Sequence, residues 1–159
     1  MKKKLTIFPT ILFLSILLIF FYLLIIDRSP SELPSVLLNK KAPEFNSKSL
    51  LKENNFISNE VFGNGKILVN FFATWCKPCL DEHNYIMRFS NQTEIKIIGI
   101  NYKDNKNNAI KWLGELGNPY SDIAVDKNGR IAIDWGVYGI PETFIVNSKG
   151  IIKYRHIGP

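Results

Sequence analysis

"FFATWCKPCLDEH", residues 71–83, holds both cysteines of the chain, Cys76 and Cys79. Four chemistries use a C-x-x-C pair: a structural staple, half of a metal site, a haem anchor, or a working redox pair. A structural zinc site needs four ligands, commonly two such pairs or one pair with two histidines. Here there is one pair, with His83 and the distant His156. Covalent haem needs C-x-x-C-H, and the residue after Cys79 is Leu80. A disulfide across so short a loop removes little chain entropy, so it is a poor staple.

A redox pair agrees with what flanks it. "KILVNFF", residues 66–72, follows the turn signal "GNG" and reads as a buried strand. Residues 80–91 fit a helix, with Leu80, Asn84 and Met87 on one side and Asp81 and Glu82 in its first turn. A thiolate between that strand and helix meets free backbone N–H groups and the positive end of the helix dipole, which lower its pKa. Cys76 is expected to be the more exposed cysteine and the nucleophile, and Cys79, one turn into the helix, to resolve the mixed disulfide. Pro78 stiffens the turn, and Trp75 is expected to shield the pair.

Further along, "IKIIGIN" (95–101) is a second buried strand. Residues 104–117 carry a helical stripe of Ala109, Trp112, Leu113 and Leu116, closed by Gly117. "DIAVD" (122–126) is a short strand and "DKNGR" a turn. "ETFIVN" and "IIKYR" form a hairpin around "SKG". The order predicts an α/β fold, with a central mixed sheet flanked by helices.

Hydrophobic residues make up 46% of the 159 residues and aromatic residues 13%, which supports a folded core. Of the 20 basic and 14 acidic residues, four basic and one acidic lie in 1–28, so the rest carries a net +3. No dense basic run with interleaved aromatics follows, which argues against nucleic-acid binding. Residues 5–26 are 22 uncharged residues; at about 1.5 Å per residue they span about 33 Å, close to the thickness of a bilayer core. "LLIIDRSPS" has no convincing small-x-small cleavage site, so the segment reads as a retained anchor. Lys2, Lys3 and Lys4 place residues 1–4 in the cytoplasm and the body on the far side of the membrane. Residues 27–42, with two prolines and three serines, read as a linker to a domain at 43–159.

"ILVNFFATWCKPC" resembles the active-site stretch of the thioredoxin superfamily. "GVYGIPETFIVNSKGIIKYRHIG" (136–158), with "GINYKD", "WLGELGNPY" and "DEH", resembles the membrane-anchored periplasmic DsbE or CcmG family, thiol:disulfide interchange proteins of c-type cytochrome maturation. The likeness covers about residues 42–158 and implies a thioredoxin-like fold with an N-terminal transmembrane helix. It implies that Cys76 and Cys79 form the redox-active disulfide, and that Pro141 is the cis-proline facing them. Glu142 is then expected near the dithiol. Glu82, three residues past Cys79 on the same helix face, is expected to influence thiol acidity.

The chain departs from the pattern in places. The buried Asp of many thioredoxins is Asn70 here, as is common in this family. Asn cannot act as a base, so another carboxylate or water must take the proton. Asn84 stands where proline often follows "EH". Family members continue past Pro159 with a further helix, which the resemblance implies is missing.

The resemblance implies reduction of the C-x-x-C-H disulfide of apocytochrome c, or of a maturation partner holding it, before haem attaches. It implies recharging by a membrane electron donor, a periplasmic catalytic domain on a bacterial inner membrane, and no bound cofactor. A general extracytoplasmic disulfide reductase or oxidase is the enzymatic alternative. The other alternative is a copper metallochaperone using Cys76, Cys79 and His83.

Overall fold

A computed structural model of the chain describes residues 3–25 and 36–159. The chain divides into two units, residues 1–32 and 33–159. The first contains helix α1, Lys3–Ile25. Its side chains are described from Phe8 to Leu23, and among the described residues no helix is long and apolar enough to cross a membrane. Residues 1, 2 and 26 of the expected cytoplasmic end and span, and 27–35 of the expected linker, lie outside the described residues.

The second unit is built on a five-stranded sheet. Its strands are β3 (Ile67–Phe72), β4 (Lys96–Tyr102), β5 (Asp122–Asp126), β6 (Glu142–Val146) and β7 (Ile152–Ile157), in spatial order β5-β4-β3-β6-β7. β3, β4 and β5 run parallel; β6 is antiparallel to β3, and β7 to β6. This is the expected mixed sheet. Helices α2 (Lys77–Gln92), α3 (Lys106–Leu116) and α4 (Arg130–Asp134) connect the strands.

β3 is buried along its whole length, and its alternation builds two cores. Ile67, Val69 and Phe71 face a cluster with Trp135, Phe144, Phe45 and Phe62. Leu68 and Phe72 face the other cluster, which contains Cys76, Cys79 and Ile86, Ala109 and Leu113 of α3, and Tyr120. Asn70 is a buried polar side chain on this second face, at the centre of the central strand.

Several elements differ from expectation. α2 begins at Lys77, because Cys76 serves as its N-cap; Asp81 and Glu82 therefore lie beyond the first turn. "DKNGR" continues into α4, whose first N–H groups are held by Asp126: Oδ1 accepts from Ile131 N at 3.2 Å and Oδ2 from Ala132 N at 2.9 Å. A small antiparallel pair, β1 (Asn46–Lys48) with β2 (Phe56–Ser58), and a 3-10 turn at Asn59–Asn64 had no clear sequence pattern.

Gly99 of β4 lies in register with Asn70. A Cβ there would come within 3.0 Å of the Phe72 ring and 3.1 Å of the Tyr120 ring. Those rings stack at 4.7 Å between centroids. Gly99→Ala is expected to destabilise the full chain by about 1–3 kcal/mol through overpacking, read as a lower denaturant midpoint at unchanged slope.

Candidate functional site

Cys76 and Cys79 are joined as a disulfide at the end of β3 and the start of α2. Cys76 has extended backbone angles, and its Sγ accepts from Cys79 N at 3.1 Å. The sequence explains why that N–H is the donor. Pro78 stands in the first two helical positions and has no N–H, so the third position supplies it. In the dithiol state the same N–H stabilises a Cys76 thiolate.

The expected contrast in exposure is absent: Cys76 is 5% and Cys79 3% exposed. What separates them is the cap. Trp75 also differs from expectation, because its ring is mostly exposed. Its Nε1 donates to Lys103 O at 3.1 Å, and its ring leans on Tyr102. The turn before the cysteines is tied down by Asp104, which accepts from Thr74 N at 2.7 Å and from Thr74 Oγ1 at 2.8 Å. Lys77 pairs with Asp81 on the exposed helix surface.

The Ile140–Pro141 bond is cis, as the resemblance implied. Ile140 O lies 3.5 Å from Cys76 Sγ. A protonated thiol can donate to that oxygen and a thiolate cannot, so this contact opposes the N-cap.

Glu82 is buried in α2 behind the pair. Its Oε2 accepts from Asn70 Nδ2 at 3.0 Å, and its Oε1 from Thr143 Oγ1 at 3.4 Å. Asn70 Nδ2 also donates to Thr143 Oγ1 at 2.9 Å, and Asn70 Oδ1 accepts from Tyr120 Oη at 2.8 Å. Burial pushes the Glu82 carboxyl up; the Asn70 hydrogen bond, the His156 charge and the Thr143 hydrogen bond oppose this. The buried acid that position 70 lacks is supplied from the helix instead of the strand.

Glu142 does not face the dithiol. It opens β6 opposite Phe71, so it points into the Trp135–Phe144 core, whereas Thr143 beside it points toward Glu82. Its Oε1 accepts from Arg155 Nε and its Oε2 from Tyr138 N at 3.2 Å. Both ionic side chains are almost fully buried. Arg155 also donates to Gly136 O at 3.1 Å and lies 4.8 Å from the Tyr138 ring centre. The pair thus braces residues 136–140, which lead to Pro141.

Tyr120, Thr143 and Arg155 escaped the sequence reading as site residues. Strand register brings in Thr143 and Arg155, and Tyr120 comes from the segment just before β5, its ring over Gly99. His83 is buried with Nε2 3.2 Å from Gly117 O and its ring against Trp112.

The arrangement is a helix-capping cysteine pair, a backbone carbonyl across from it, and a buried carboxyl one helical turn behind. It can exchange disulfides and move one proton. The Redoxin family profile matches residues 37–159. The chain is similar to the thiol:disulfide interchange protein DsbE of Escherichia coli strain K12, 42% identical over 162 residues, covering 99% of this chain and 87% of that protein. It is 44% identical over 162 residues to the protein of the same name from Haemophilus influenzae, covering 99% and 88%. In fold it is similar to the crystal structure of a putative thiol:disulfide interchange protein DsbE from Chlorobium tepidum. That match has a TM-score of 0.68 at 20% identity and covers 76% of this chain and 85% of that one.

Proposed function

The chain belongs to the redoxin family, among the DsbE thiol:disulfide interchange proteins, and on that premise we propose that it reduces the C-x-x-C-H disulfide of apocytochrome c before haem attachment. It is a protein thiol:disulfide oxidoreductase. The observation that carries the catalytic reading is Cys76 Sγ at the N-cap of α2, held by Cys79 N and disulfide-bonded to Cys79.

The reaction starts from the dithiol. The Cys76 thiolate attacks one sulfur of the substrate disulfide, and the other leaves as a substrate thiolate. Cys79 loses its proton to Glu82, directly or through water, and its thiolate attacks Cys76 Sγ. The second substrate thiolate leaves. Two electrons have passed to the substrate, and the protein holds the Cys76–Cys79 disulfide. A dithiol donor in the membrane returns it to the reduced state. The uncharged run 5–26 is the proposed anchor, with the catalytic unit on the periplasmic side of a bacterial inner membrane.

The substrate is tested in a strain lacking the gene. Cytochrome c haem content should fall and be restored by added dithiol; normal haem loading would sink the cytochrome reading and leave a general disulfide reductase. Stoichiometric copper binding without reductase activity would sink the redox mechanism.

The role of Glu82 is tested by Glu82→Gln, which should slow resolution by Cys79 near neutral pH by about 10²-fold. The same variant should alter stability. Because the folded carboxyl titrates above the unfolded value of 4.5, the native state holds more protons than the unfolded state between the two values. Stability therefore falls as pH rises through that window, and Glu82→Gln should make the fall shallower. An unchanged rate profile would remove Glu82 from the proton path.

A further inference from the structure

We propose that Tyr120 is a positioning residue for the reaction, acting through Asn70: its hydroxyl holds the Asn70 amide with its N–H end toward Glu82. This rests on the reading of Glu82 as the proton acceptor for Cys79.

An amide has two ends of similar shape and opposite polarity. Turned one way, Asn70 offers Glu82 an N–H donor; turned the other way, it offers an oxygen that repels a carboxylate. The Glu82 carboxylate, which when ionised only accepts, draws the N–H end. Tyr120 holds the amide in that orientation, because its hydroxyl donates to Asn70 Oδ1 at 2.8 Å. With that oxygen occupied, Nδ2 is left for Glu82 Oε2 at 3.0 Å and Thr143 Oγ1 at 2.9 Å. The oxygen and both N–H bonds of this buried amide then have partners, as a buried polar group requires.

The fold makes room for this contact. Asn70 lies between Gly99 on β4 and Thr143 on β6. The missing side chain at Gly99 lets the Tyr120 ring lie against the sheet, stacked on Phe72. Tyr120 is itself held by its N–H to Asn118 Oδ1 at 3.0 Å.

The ionisable groups around Glu82 are few. Tyr120 comes from the segment before β5, and His156 from β7, where it is in register with Thr143. Cys79 and His83 share its own helix. β3 and β6 bring the neutral Asn70 and Thr143. An Asp at 70 would put a second carboxylate beside Glu82, whereas the amide supplies a donor without a charge. Hydrogen bonds in such a chain strengthen one another, so the Tyr120 bond strengthens the Asn70 bond to the carboxylate.

The test follows Glu82 directly. The full chain, reduced and labelled with carboxyl-13C glutamate, is titrated by NMR as wild type, Tyr120→Phe and Asn70→Ala, with Glu82→Gln assigning the resonance. Tyr120→Phe keeps the ring stack and should raise the Glu82 midpoint. Asn70→Ala should raise it further. The pH profile of reductase turnover should move with it, with a rate loss of about three- to tenfold below the midpoint. A Glu82 midpoint that stays or falls in Tyr120→Phe overturns the inference, whatever Asn70→Ala does. Midpoints that rise in both variants while the reductase profile stays fixed uphold the positioning role and instead refute Glu82 as the proton acceptor.

Discussion

Cys79→Ala is expected to stop turnover almost completely, on the order of a 10³-fold loss, while leaving a covalent adduct on Cys76. The first step survives in this variant because the cap is made by the backbone N–H of residue 79 and not by its thiol. The Cys76 thiolate still attacks a disulfide in a C-x-x-C-H peptide, but nothing resolves the product. Mass spectrometry of the full chain after mixing with the oxidised peptide should show one peptide per protein, removed by dithiothreitol. Cys76→Ala should show no adduct and no turnover. The two variants separate the roles although the sulfurs are similarly buried, because only Cys76 Sγ receives the N–H and faces Ile140 O. An adduct that forms on Cys79 in Cys76→Ala, and not on Cys76 in Cys79→Ala, would reverse the assignment.

The parts of the site that lie along the chain were legible in the sequence. The strand-C-x-x-C-helix order, the proline in the turn and the position of Glu82 one turn past Cys79 are local spacings. Periodicity reports such spacings directly. The start of α2 was read three residues late because Pro78 looks like a break when it is in fact an accepted first-turn residue. α4 was missed because Asp126, which accepts from N–H groups of its first turn, sits four residues before the helix, across a turn through Gly129. The misplacement of Glu142 has a different cause. Its closeness to Pro141 in sequence suggested closeness to the dithiol, but strand alternation turns residue 142 to one face and 143 to the other. Strand phase depends on register with β3, and register is a property of two segments, not one. Tyr120 meets Asn70 for the same kind of reason: the residue in register with Asn70 happens to be a glycine.

Arg155→Met is expected to cost the fold about 3–5 kcal/mol near pH 8, because it leaves the buried Glu142 carboxylate without its cation. Only backbone N–H groups, of Tyr138 at Oε2 and of Gly139, would then serve the carboxylate. Burial already pushes the Glu142 carboxyl up, and the Arg155 hydrogen bond and charge are the largest of the influences holding it down, ahead of the Tyr138 and Gly139 backbone. Removing them raises the folded-state value further above the unfolded 4.5. The native variant then binds a proton that its unfolded chain has released, so its stability falls as pH rises through that window. The loss should therefore shrink at pH 5 relative to pH 8, which two denaturant titrations of the full chain in detergent will read. Arg155→Met with Glu142→Leu should recover most of it, since two apolar side chains need no partner there. A loss independent of pH, and not recovered in the double variant, would mean that Arg155 acts by packing on Tyr138 and Phe144 and not by charge. The bond to Gly136 O adds a functional consequence. Residues 136–140 carry the carbonyl that faces Cys76, so even the stable double variant should show a raised KM for the peptide disulfide, with Cys76 thiolate reactivity toward iodoacetamide little changed.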